Sequence, residues 1–351
     1  MRAVVFHAPG EVSVDEVPQP GLPEGGLLVD TAFVGVCGSD VRTWRHGNAR
    51  IKGVQTLGHE VSGVIAASDA PGYEIGTRVA VCPGVPCLAC EPCQRGWHNL
   101  CLNRRVLGYD FPGGMAESFA VPPEAVRAGC VVPLPDSLST EHAALAEPLH
   151  TVLNGQDRAR TAAGESVLVL GLGPIGTFHA AVATSRDASP VLGMDPLPQR
   201  AEAARAVLGE GSAEVLDDDS RAGLRDRGGS LGWDVVVVAT GAHAAFGLAM
   251  EVVSPRGRVL AFSGVPASAA MVDINVSRLH YQEIELVGAF GGTPRYYREA
   301  VRWLGRTKID LDRMVGKLIP LDVAVDAFER VERGEGLKTL ITTDAKEMAA
   351  G

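Results

Sequence analysis

Short β-branched runs broken by glycine and proline fill the first third of the chain, and from about residue 165 the pattern changes. In the first region, 26–36, 63–67, 76–81 and 115–121 read as brief strands separated by turns. Many short strands with glycine turns predict a mostly-β, barrel-like domain with long loops. Beyond 165, apolar runs alternate with alanine-rich stretches. Strands are predicted over 165–170, 191–194, 233–239, 257–262 and 284–287, with helices over 175–184, 199–208 and 244–253. Such alternation predicts a parallel sheet covered by helices on both faces. Helices over 296–304 and 323–333 and a last strand over 338–342 form a tail expected to return to the first domain.

A chain of 351 residues suits two domains. Its net charge of −10, from 42 acidic and 32 basic residues, speaks against a nucleic-acid or anionic-membrane surface. Hydrophobic residues make up 46 %, yet no uninterrupted apolar stretch nears the roughly 20 residues of a membrane span. The opening Met1-Arg2-Ala3-Val4-Val5-Phe6 reads as a strand rather than an export signal, so a cytoplasmic protein is expected.

Two stretches carry explicit chemistry. Cys87, Cys90, Cys93 and Cys101 give C-x2-C-x2-C-x7-C, the spacing of a closed thiolate site for a structural Zn²⁺. Four thiolates leave no open coordination position, so a catalytic metal must lie elsewhere. Gly171-Leu172-Gly173-Pro174-Ile175-Gly176 follows a predicted strand and opens a predicted helix, the setting in which G-x-G-x-x-G binds a dinucleotide pyrophosphate. Asp195, at the end of the next strand, suits the ribose hydroxyls of NAD and would repel the 2′-phosphate of NADP; Arg200 could instead meet that phosphate or cover the adenine. Thr240 and Gly264 fall after later strands, where cofactor contacts gather.

Cys37, in Cys37-Gly38-Ser39-Asp40, and Gly58-His59-Glu60 offer a thiolate, an imidazole and a carboxylate from separated segments. By themselves Cys37 reads equally well as a small buried hydrophobe and His59 as a core histidine. These two motifs, the four-cysteine lobe, Glu147-Pro148-Leu149 and the glycine fingerprint occur here in the order that resembles the zinc-dependent medium-chain alcohol dehydrogenases, above all their sorbitol (polyol) branch. The resemblance spans essentially the whole chain. It implies a GroES-like catalytic domain over 1–149 and 293–351, with a structural zinc lobe at about 82–105, and a Rossmann NAD-binding domain over 150–292. It further implies two zinc ions per chain, a dimer or tetramer, and hydride transfer from a zinc-activated alcohol to the nicotinamide.

Carried over by position, Cys37 and His59 match the catalytic zinc ligands, while Glu60 and Glu147 match carboxylates that ligate the metal or hold its water. Ser39 matches the hydroxyl that passes the substrate proton on. Where relatives commonly carry a relay histidine this chain has Arg42, which cannot act as a base, and His46 is a conceivable substitute. Arg42 is left between a substrate oxygen, a cofactor phosphate and a surface turn. Trp44, His46 and Asn48 match the loop bordering the substrate, although Trp44 could instead fill the core. A polar metal pocket with these residues suggests a secondary alcohol of a polyol, sugar or cyclitol. The Ala-, Arg- and Gly-rich usage of a GC-rich genome adds an amino sugar or antibiotic intermediate to the expected substrates. The competing readings are a carbonyl reductase or a threonine- or glucose-type dehydrogenase of the same family, and a zinc-stabilised nucleotide-binding protein without catalysis.

Overall fold

The computed structural model describes residues 1–265 and 270–343. The end of the returning tail, residues 344–351, lies outside them. Contacts divide the chain into two compact units. The first comprises Met1–His150, Gly292–Lys308 and Val315–Gly351; the second comprises Thr151–Gly291 and Ile309–Met314.

The first unit is built mostly of strands. Its main sheet runs, edge to edge, Val131–Pro133, Arg78–Val81, Glu60–Ser68, Leu27–Val36, Lys338–Thr342 and Val315–Pro320, with Ser118–Val121 also paired to Leu27–Val36. The central strand Leu27–Val36 has apolar residues buried along most of its length, as expected of a strand covered on both faces. The tail strand Lys338–Thr342 is fully buried and pairs antiparallel with it, Leu340 opposite Gly35. A residue from the far end of the chain thus stands one strand away from the Cys37–His59 segment.

The second unit holds a six-stranded parallel sheet in the order Ala213–Val215, Val191–Asp195, Val167–Leu170, Trp233–Val238, Val253–Ala261 and Glu285–Gly288. This is the doubly wound Rossmann arrangement that the alternating pattern predicts. Val167–Leu170 and residues 235–238 of its neighbour are all buried, which explains why these strands read as unbroken apolar runs. His179 is buried within this unit. Its Nδ1 meets Gln156 Nε2 at 2.9 Å, and its ring stands edge-on to Phe262 with centroids 4.4 Å apart. Burial pushes the His179 imidazole down to about 3, so it folds in as the neutral ring.

Among the helices that the sequence pattern does not reveal, two bear on the site. Gly38–His46 contains a threonine and a tryptophan and no long apolar stripe; Ala146–Ala159 is interrupted by Pro148 and Gly155. Pro148 sits in the first turn, where a missing N–H costs nothing.

Candidate active site

Strand Leu27–Val36 delivers Cys37 to the start of helix Gly38–His46, where it takes an extended N-cap backbone (φ −101°, ψ 154°). Asp40, three residues on, accepts from Cys37 N at 2.9 Å through Oδ2 and closes the first turn. Strand Glu60–Ser68 runs antiparallel to Leu27–Val36 with Glu60 opposite Gly35, so His59 and Glu60 arrive beside Cys37. One ligand atom from each of Cys37, His59 and Glu60 lies within 4.8 Å of the others.

The imidazole is held on both sides. His59 Nε2 meets Ser39 Oγ at 3.3 Å, and Nδ1 lies 3.2 Å from Asp40 Oδ1, close but without the alignment of a hydrogen bond. Burial disfavours charge on this ring, yet the Asp40 carboxylate outweighs it and holds His59 well above its ordinary pKa. A carboxylate behind one ring nitrogen is the support that orients a metal-ligating histidine and fixes its tautomer. Asp40 stands within a sequence motif that by itself assigns it no role; its spacing from the N-cap is the available signal. Tyr109, whose ring centroid lies 5.6 Å from that of His59, had no signal.

Glu60 is engaged by a residue that sequence reading missed altogether. Its Oε1 accepts from Lys338 Nζ at 2.5 Å, and Oε2 stands at 2.5 Å without hydrogen-bond alignment; both side chains are buried. Burial works against the Lys338 charge, but Glu60, and behind it Cys37 and Glu147, hold its pKa above the ordinary value. The pair lies across strand Leu27–Val36 at Gly35. A Cβ there would fall 2.0 Å from Glu60 Oε2 and 2.9 Å from Lys338 Cε, so only glycine leaves the ion pair its room.

Glu147 opens helix Ala146–Ala159 and stays outside the three-residue group. It nonetheless feels that group: burial pushes its carboxyl up to about 7, opposed by the charge of His59 and reinforced by that of Glu60. A thiolate, an imidazole and carboxylates are a mixed donor set that suits a catalytic Zn²⁺ with a position left open.

The four cysteines also converge, all within 4.8 Å of one another. Cys101 Sγ accepts from Cys87 N at 3.2 Å, Cys87 Sγ accepts from Cys90 N at 3.4 Å, and Cys90 and Cys101 sulfurs are 3.8 Å apart. Backbone N–H groups of Ala89 and Cys90 pull Cys87 down to about 6, whereas burial and its neighbouring sulfurs push Cys93 up to about 12. Four thiolates crowded this closely need a cation to stay ionised together, and the set fits a structural Zn²⁺.

In the second unit Gly171 follows strand Val167–Leu170, Gly173 caps helix Pro174–Ser185, and Pro174 and Ile175 are half-buried in its first turn. A Cβ on Gly176 would fall 1.7 Å from Gly171 O, so helix and turn touch backbone to backbone. Nothing lies within 4 Å of where a Cβ on Gly173 or on Gly264 would stand, which leaves these turns open to a ligand. Thr240 borders Gly171, and Gly241 borders Gly264. Asp195 is buried: Oδ2 accepts from Leu172 N at 2.8 Å and Oδ1 from Leu197 N at 2.9 Å, which fixes the carboxylate at the glycine turn. Arg200 reaches it only at 4.0 Å.

A cavity of about 450 Å³ opens beside the Cys37–His59–Glu60 group, lined by Ser39, Arg42, Thr43, His46, Gly47, Asn48, Ala49 and Tyr109. Ser39, Arg42 and His46 recur at the spacing of one helical face. Trp44 is not among the lining residues. It is buried edge-on against Phe328, centroids 5.9 Å apart, with Arg45 stacked 3.7 Å from its ring centroid and paired to Glu332 at 2.5 Å. The expected substrate loop is therefore a helix, pinned by Trp44 and Arg45 with its opposite face to the cavity.

The alcohol dehydrogenase GroES-like domain matches residues 23–136, and the zinc-binding dehydrogenase domain matches 174–306. An Aspergillus fumigatus protein named "Probable D-xylulose reductase A" is 32 % identical over 341 residues, covering 94 % of this chain and 93 % of its own. Sorbitol dehydrogenase of Bacillus subtilis is 31 % identical over 351 residues, covering 97 % of each. Among solved structures, a zinc-binding dehydrogenase from Sinorhizobium meliloti 1021 bound to NADP superimposes with a TM-score of 0.87 at 28 % identity, over 97 % of this chain and 98 % of the other. The chain belongs to the zinc-dependent medium-chain alcohol dehydrogenases, near their polyol branch. It is thus an alcohol-dehydrogenase enzyme, and the non-catalytic reading falls away. No helix of the described residues is long and apolar enough to cross a membrane.

Proposed function

We propose that this enzyme oxidises a secondary alcohol of a polyol, sugar or cyclitol to the ketone with NAD. The observation that carries the reading is the convergence of Cys37, His59 and Glu60 beside a cavity to which Ser39, Arg42, Thr43, His46 and Asn48 contribute polar groups. Cys37 and His59 would hold the catalytic zinc, and Glu60 and Glu147 would complete or edge its site. Bound there, Zn²⁺ would supply Lewis-acid polarisation of the substrate oxygen. Ser39 Oγ, against His59 and lining the cavity, would take the substrate's proton and pass its own outward. Arg42, a guanidinium, cannot act as a base and has no part in that transfer. The reverse reduction uses the same groups.

Several features support NAD. Asp195 is fixed at the glycine turn, each oxygen retains acceptor capacity for a ribose hydroxyl, and its charge would oppose a 2′-phosphate. Arg200 is too distant to neutralise it fully. The S. meliloti relative is bound to NADP, so the two cofactors must be compared directly. An amino sugar is disfavoured by the guanidinium in the cavity, which would repel an ammonium group. Initial rates on sorbitol, xylitol and inositols, followed at 340 nm with NAD and NADP in parallel, test the reading. Turnover with NAD is expected; absence of turnover on every member, with both zinc sites filled, would contradict it.

A further inference from the structure

We propose that Arg42 is an anion anchor and that the physiological substrate carries a carboxylate or phosphate a few carbons from the alcohol that is oxidised. The inference rests on the polyol reading of this site and narrows it. Helix Gly38–His46 divides its two cations unequally. Arg45 is spent on the scaffold, stacked on Trp44 and paired with Glu332. Arg42, three residues earlier, lines the cavity and has no ion pair among the described residues. Among the described residues no carboxylate lines that cavity: the other contributors are Ser39, Thr43, His46, Asn48, Ala49, Tyr109 and the backbone turn at Gly47. In a chain of net charge −10, an exposed, unpaired guanidinium at the edge of a cavity without a carboxylate among its described lining residues is a local reversal of field.

The spacing sets where the anion would sit. Ser39 contacts His59 and so marks the end of the cavity where the alcohol reacts. Arg42 lies one helical turn away, a rise of about 4.5 Å along the axis. An acid group two to four carbons beyond the reacting carbinol would span that distance. Guanidinium offers such a group two parallel N–H donors, whereas a neutral polyol can use only one or two of them, without charge. His46 adds a donor or acceptor at the outer end of the same face.

The test uses matched neutral and acidic probes on the zinc-loaded enzyme: sorbitol against gluconate, and xylitol against xylonate, for wild type and Arg42→Gln. The wild type is expected to favour the acid of each pair, and Arg42→Gln to lower the acid-to-neutral ratio of kcat/KM about 10- to 100-fold. Calorimetric titration of gluconate into the enzyme saturated with NADH should show the same loss in affinity, independently of turnover. Arg42→Lys should recover part of it. A ratio that moves less than about twofold, or a wild type that turns over only the neutral polyols, overturns the inference and leaves the polyol reading standing. A weakened Kd for NADH with no change in the ratio overturns it too, and assigns the guanidinium to the cofactor's phosphates. Failure of wild type on all four probes contradicts the polyol reading itself.

Discussion

The two metal clusters of the first unit are built on opposite principles. The four-cysteine lobe collects all its donors from 15 residues, 87–101, and its supports are backbone N–H groups of the same segment. The Cys37–His59–Glu60 group draws its donors from the ends of two strands, and its supports come from two other elements: Asp40 from the adjoining helix and Lys338 from a strand 278 residues beyond Glu60. A closed, local thiolate knot can staple a loop. An open site with buried charged supports is what chemistry requires, because its ligands must stay oriented while one position exchanges.

The comparison breaks most visibly at the lobe. Cys101→Ser should release one zinc per chain and destabilise the fold by about 3 kcal/mol or more, since the metal is the main tie of a segment poor in secondary structure. Urea unfolding with parallel metal analysis checks this; an unchanged midpoint would mean the lobe packs without its ion. The second effect concerns the buried ion pair. Lys338→Met leaves Glu60 buried without its partner and should cost about 3–5 kcal/mol, while Glu60→Gln in the same chain should restore part of the loss. Additive losses in that cycle would show that the two side chains do not act as a pair.

A smaller effect sharpens the contrast of supports. Asp40→Asn should weaken the catalytic zinc about 10- to 100-fold in chelator competition, with the lobe zinc unaffected. Equal weakening at both sites would deny Asp40 its particular role.

The smallest effect lies in the second unit and depends on pH. The pKa of His179 falls on folding, so between its ordinary value of about 6.5 and its folded value of about 3 the unfolded chain binds the extra proton. Its contribution is complete above pH 6.5 and is lost as pH falls through that window, with a slope of at most about 1.4 kcal/mol per pH unit. His179→Gln should flatten the decline of the urea midpoint between pH 6.5 and 4.5. An unchanged slope would mean that the ring titrates normally in the folded protein.

The same contrast explains what could be read from the chain. The cysteine knot and the glycine turn are local spacings, so both were legible, as was the parallel sheet, whose strands are apolar runs. Cys37, His59 and Glu60 were ambiguous alone and acquired meaning only through the order of motifs. Lys338 could not be found, because nothing near it in sequence marks a partner for a glutamate on another strand. Gly35 is equally silent until the ion pair it accommodates is seen. Trp44 was misplaced because an aromatic residue near a site motif looks the same in sequence whether it faces ligand or core; Phe328, from the returning tail, decides it.

The central claim, two zinc sites of which only the mixed one is catalytic, is tested most directly by metal counting and turnover on the same samples of wild type and Cys37→Ser. About two zinc ions per chain in the wild type and about one in the variant, with the variant still folded and its NAD-linked oxidation of polyols reduced about 1,000-fold or more, is the expected result. A variant that keeps both zinc ions, or that loses one and still turns over at the wild-type rate, would contradict it.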